Sequence, residues 1–118
     1  MAYGHILVVE DDEDARASLV DILEDANFQV HAVSNGRDAL AELQAGLRPN
    51  LILLDLNMPV MDGWELARRA AADPSLANIP ICMVSGAEPS VGIPPQVVAV
   101  LRKPIEMTRL LSVVYQYC

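Results

Sequence analysis

The sequence predicts an α/β fold: a single domain, residues 1–118, built as a doubly wound parallel sheet of five strands with helices on both faces. Three observations predict it. Short apolar or β-branched runs alternate along the chain with stretches whose apolar residues recur at helical spacing. The connections between them are short, which favours strand-helix-strand crossovers over separate layers. The third run, Leu51 to Leu54, is apolar at every position, as a strand covered on both faces requires. A chain of 118 residues suits one core.

Each element follows in order. "HILVVE" (5–10) is a β-branched run ending in acids, and "EDARASLVDILEDA" brings Ala15, Leu19, Ile22, Leu23 and Ala26 onto one helical face. "FQVHAV" (28–33) is the second strand, with Phe28, Val30 and Ala32 expected on one face. Ser34-Asn35-Gly36 turns into a short helix through Ala39, Leu40 and Leu43 that stops near Gly46 and Pro49. "LILL" (51–54) is strand three, and a helix from about Trp64 to Ala72 follows, capped by Asp62. "DPSLANIP" is a loop, "ICMV" (81–84) strand four and "VVAVL" (97–101) strand five. The last helix carries Met107, Leu110, Leu111 and Val114 on one face.

One connection breaks the alternation. Between strands four and five lies "SGAEPSVGIPPQ", where a parallel pair demands a crossover. Pro89, Gly92, Pro94 and Pro95 disfavour a regular helix there, so the fourth helix is expected to be shortened or absent.

Charge and composition narrow the function. Sixteen Asp and Glu against eight Lys and Arg give a net charge of −8, which argues against direct nucleic-acid binding, since that affinity is built from cations. A metal cation or a basic protein surface is the natural complement. The N-terminus turns acidic at once and lacks the basic region of a secretory signal, and no apolar run nears the ~20 residues of a membrane span. Cys82 and Cys118 have no metal or redox spacing, and Cys82 reads as a small buried hydrophobe. A cytoplasmic chain with no membrane partner is the expectation.

Asp55 poses the central question, because a carboxylate ends the oiliest strand and burying it is costly unless it is paired. In open parallel sheets ligands bind beyond the carboxyl ends of the strands. Strand one ends in Glu10-Asp11-Asp12, strand three in Asp55, strand four in Ser85-Gly86 and strand five in Lys103-Pro104. These ends share one edge, which gathers carboxylates, a hydroxyl and an ammonium from distant parts of the chain.

At these positions the sequence resembles the receiver domain of two-component response regulators, over nearly its whole length. The marks are "VVEDD", "LLDLNMPVMDG", "VSG" and "LRKP", in order and each at a strand end. The resemblance implies a flavodoxin-like sheet of order 2-1-3-4-5. It implies that Asp55 accepts a phosphoryl group from a phosphohistidine of a sensor histidine kinase or histidine phosphotransfer protein. It implies Mg²⁺ held by Asp11, Asp55 and the backbone carbonyl of Asn57, with Glu10 acting through a metal-bound water. Lys103 would pair first with Asp55 and then with the phosphoryl oxygens, Ser85 would donate its hydroxyl to them, and the Lys103-Pro104 peptide bond would be cis. The chain would catalyse only its own phosphorylation and dephosphorylation, and signal by binding an unknown downstream protein.

Blander readings apply elsewhere. Glu13 and Asp14 suit the start of a helix, Asp62 a cap, Trp64 partly buried packing, and His5 and His31 structural roles. Two rival functions remain: a pseudo-receiver used as a phosphorylation-independent interaction module, and a phosphatase with an aspartate nucleophile. Against the phosphatase, the partner Asp two residues on is Asn57 here. Where receivers carry an aromatic residue three before the lysine, this chain has Val100, so signalling is expected through reordering of residues 86–96. Met1 reads as a natural start, with no output domain attached.

Overall fold

The computed structural model describes residues 4–56, 63–86 and 96–118. Strands β1 (His5–Val9), β2 (Gln29–Val33), β3 (Leu51–Asp55), β4 (Ile81–Ser85) and β5 (Val97–Arg102) form one sheet. Every pairing is parallel and the order is β2-β1-β3-β4-β5. Helices α1 (Glu13–Asp25), α2 (Gly36–Gln44), α3 (Gly63–Ala72) and α4 (Met107–Tyr117) complete the chain. Among the described residues no helix lies between β4 and β5; residues 87–95 lie outside them.

Alternation along the central strands builds two cores. Leu7, Val9, Ile52, Leu54, Ile81 and Met83 point to one face, where α2 and α3 bring Leu40, Leu43, Leu66 and Ala70. Ile6, Val8, Leu51, Leu53, Cys82 and Leu101 point to the other, under Leu19 and Leu23 of α1 and Leu110 and Val114 of α4. This explains the unbroken apolar run of β3: a strand at the middle of a doubly covered sheet has no wet side.

Helix ends are set by local chemistry. Asp12 caps α1, its side chain accepting from Ala15 N–H at 2.8 Å, and Asn35 caps α2, accepting from Asp38 N–H at 2.8 Å. Asn27 (φ 72°) follows the end of α1 and Gly46 (φ 117°) that of α2, both in the left-handed region that stops a helix. Asp62, the expected cap of α3, lies outside the described residues.

Three details differ from the sequence pattern. Ala32 is exposed on β2, an edge strand. Met107 is 53% exposed, because only Leu110 and Val114 of α4 reach the sheet fully. In β5 the register with β4 slips by one: Ile81 pairs with Val97 but Cys82 with Ala99, leaving Val98 as an extra residue. Val98 and Ala99 therefore both join the α1/α4 face, and Val100 returns to the other.

Candidate functional site

Glu10, Asp55 and Ser85 are the buried polar residues among those described, at 4%, 3% and 5% exposure, and all three stand at the carboxyl ends of strands. Parallel pairing sets them side by side. Val9 pairs with Leu54, so the residues that follow, Glu10 and Asp55, are neighbours. The ladder then runs one step past the strands through Glu10 N–H to Val33 O (3.1 Å), Leu56 N–H to Val84 O (3.1 Å) and Lys103 N–H to Ser85 O (2.8 Å).

The charged groups converge as the strand ends predict. Lys103 Nζ donates to Asp55 Oδ2 at 3.2 Å and lies 3.8 Å from Glu10 Oε1. Glu10, Asp11 and Asp55 each offer a carboxylate oxygen, and these oxygens lie within 4.8 Å of one another. Burial pushes the Glu10 carboxyl up to about 8, helped by its hydrogen bond and like charge with Asp55 and opposed by Lys103. For Lys103, burial works against the charge, yet Asp55, Glu10 and Asp11 outweigh it and raise the ammonium above its ordinary value. The arrangement is an acidic pocket with one internal cation. It is short of positive charge, and its donors are all oxygen, the set that hard cations prefer. Glu10 offers its carboxylate oxygen within this cluster, beside Asp11 and Asp55. Asn57 lies outside the described residues.

Lys103-Pro104 is cis. Two supporting residues escaped the sequence reading. Gly63 opens α3 directly against the acceptor strand: a Cβ there would fall 2.5 Å from the backbone oxygen of Asp55 and 2.9 Å from Leu56 Cα. Its N–H donates to Leu56 O at 3.3 Å. The glycine is required by close approach. Arg16, an ordinary helical arginine by sequence, turns back to donate from Nη1 to Glu10 O at 3.0 Å and Asp11 O at 3.4 Å.

Other candidates fall elsewhere. Asp12 is spent as the α1 cap, while Glu13 and Asp14 occupy that helix's first turn. His31 lies 3.6 Å from Glu42, away from the acidic pocket, and Trp64 packs half-buried on the α2/α3 core. Cys82 is fully buried, which pushes its thiol up to about 12. Val100 packs half-buried beside Met83, its partner on β4. The expected reordering of 86–96 concerns a segment of which only Gly86 and Gln96 are described. Beside the pocket, a groove of about 390 Å³ runs between α1 and the β5–α4 turn, past Lys103, Ala15, Leu19, Ile22 and Ile105.

A family profile described as "Response regulator receiver domain" matches residues 6–115. The chain belongs to that family. This receiver is 31% identical over 111 residues to Protein Rrf1 of Nitratidesulfovibrio vulgaris, covering 94% of this chain and 80% of that one. Among solved structures it resembles the phosphorylated cyanobacterial phytochrome response regulator RcpA, with a TM-score of 0.79 at 28% identity, covering 98% and 91% of the two chains. It also shares its fold with the receiver domain of sensor histidine kinase PA1611 from Pseudomonas aeruginosa, described with magnesium in its active-site cleft. There the TM-score is 0.87 at 22% identity, over 98% of each chain. Receiver domains act with histidine kinases or phosphotransfer proteins and bind Mg²⁺ at an acidic pocket. No helix among the described residues of this receiver is long and apolar enough to cross a membrane.

Proposed function

We propose that this receiver is a phosphoacceptor switch in a two-component relay and that Asp55 carries the phosphoryl group. The observation that carries the reading is a carboxylate 3% exposed, bonded to an ammonium at 3.2 Å and flanked by two further carboxylates. A merely structural ion pair does not need the extra acids, which repel each other and Asp55.

In the transfer, an Asp55 carboxylate oxygen forms a bond to phosphorus as the phosphorus–nitrogen bond of a phosphohistidine breaks, and the imidazole leaves with that electron pair. Lys103 already touches Asp55, so its ammonium shifts from the carboxylate to the phosphoryl oxygens with little movement. Ser85, buried at the adjacent strand end, donates its hydroxyl to one of them. Asp11, Asp55 and the Asn57 carbonyl would hold Mg²⁺ with Glu10 beside them, and the bound ion supplies positive charge against the phosphoryl oxygens. The groove beside Lys103 gives a sensor kinase or phosphotransfer protein an apolar footing next to the acceptor. The chain then acts on itself alone and signals by binding a downstream protein. We read its setting as cytoplasmic, consistent with two free cysteines.

Acetyl phosphate with Mg²⁺ tests this without a cognate kinase. Intact-mass measurement is expected to show one added phosphoryl group, not formed when the metal is chelated beforehand and absent in Asp55→Asn. A wild-type chain that stays unmodified while folded would instead make it a phosphorylation-independent interaction module.

A further inference from the structure

Three consecutive carbonyls, at the one point where β1 leaves the sheet, are all taken by a single residue. Arg16 Nη1 donates to Glu10 O at 3.0 Å and Asp11 O at 3.4 Å, and Arg16's own N–H donates to Asp12 O at 2.9 Å. We propose that Arg16 is a positioning residue for the cation site: it fastens the β1–α1 turn so that the carboxylates of Glu10 and Asp11 converge on Asp55. The proposal rests on reading the acidic cluster as that site.

Consider what else holds the turn. The sheet's last bond to it is Glu10 N–H to Val33 O, Asp12 N–H donates to Glu10 Oε2 at a long 3.4 Å, and the Asp12 cap secures the helix beyond. Between them lie the backbone units whose side chains each bring a carboxyl oxygen within 4.8 Å of the others and of Asp55. Once these acids are deprotonated to receive a cation, their repulsion favours rotation of the Glu10 and Asp11 peptides outward. A guanidinium gripping both carbonyls opposes that rotation at the backbone. Its chemistry is also apt: Arg16 meets carbonyl oxygens, so it adds positive charge nearby without occupying the carboxylate oxygens a cation needs. Lys103, by contrast, bonds to Asp55 directly. Arginine keeps its charge, and both bonds leave from one nitrogen, Nη1, held rigidly in the guanidinium plane. Groups that orient metal ligands in this way typically change metal affinity about 10–100-fold when removed.

The test is a Mg²⁺ titration of the whole chain, followed by calorimetry and by the fluorescence of Trp64, the single tryptophan, next to Gly63. Arg16→Gln is expected to weaken Mg²⁺ binding at least tenfold, and Arg16→Lys to recover part of it. Phosphorylation by acetyl phosphate is expected to slow in Arg16→Gln at limiting Mg²⁺ and to recover at saturating Mg²⁺, as loss of positioning rather than of chemistry requires. Arg16→Met, which keeps the aliphatic stem, replaces the glutamine variant if that one does not fold. Wild-type Mg²⁺ affinity in either folded variant overturns the assignment, even if its melting temperature in chelator has dropped. A wild-type chain that binds no Mg²⁺ overturns the reading of the site, and this inference with it.

Discussion

Glu10 is the residue through which pH acts on this pocket. Its folded-state value of about 8 stands well above its ordinary 4.5, chiefly because burial disfavours the charge. Between those values the native chain holds a proton that the unfolded chain has released, so raising the pH through that window removes stability. Lys103, also raised, acts in the same direction but in another window: its charged form adds stability that persists through neutral pH and is lost only above its ordinary 10.5. In chelator, stability is therefore expected to fall between pH 6 and pH 8.5 by roughly 1–2 kcal/mol. Thermal melts of wild type and Glu10→Gln check this, because the amide should flatten the dependence. The converging charges were legible because each ends a strand, and strand ends can be read from where apolar runs stop. Arg16 was not legible: its partners are backbone carbonyls, which leave no mark in the sequence, and its spacing on α1 is that of any solvated arginine.

At the scale of elements, α3 is seated by what its first residue lacks. Adding a methyl group at Gly63 pushes on the Asp55 carbonyl and on Leu56 Cα, both backbone and neither able to rotate away. Gly63→Ala is expected to cost about 1–3 kcal/mol, as overpacking in a close-packed interior does. Urea unfolding measures that loss, and the phosphorylation rate should fall with it, since the strained atom belongs to the acceptor residue. Helices α1 and α2 were readable through their apolar spacing, and β3 through its unbroken run. The exposure of Ala32 on β2 was not legible, since alternation names a strand's face and not whether anything covers it. The exposure of Met107 was not legible for a related reason: helical spacing names a face but not how far along the helix the sheet extends beneath it.

For the molecule as a whole, two apolar cores hold a charged edge that is incomplete by itself. Alternation of strands and helices made the architecture legible, whereas the strand order came from resemblance, because periodicity says nothing about which strands are neighbours. A cation that binds only the assembled pocket stabilises the fold by mass action, by about 2.7 kcal/mol at a hundredfold excess over its dissociation constant. The melting temperature is thus expected to rise with Mg²⁺ and return with chelator, and the Asp11→Asn chain should lose most of the increment.

The extra residue in β5 reaches further than its place in the ladder suggests. Two cations stand side by side where that strand ends, Arg102 as its last residue and Lys103 as the next, and the lysine is the one bonded to Asp55. Were β5 to run evenly from the Ile81–Val97 pair, Leu101 would stand opposite Ser85, and every side chain beyond Val98 would change sides. Val98 resets the parity. Whether a guanidinium or an ammonium greets the acceptor is thus a question of odd or even, answered at the opposite end of the strand from the chemistry.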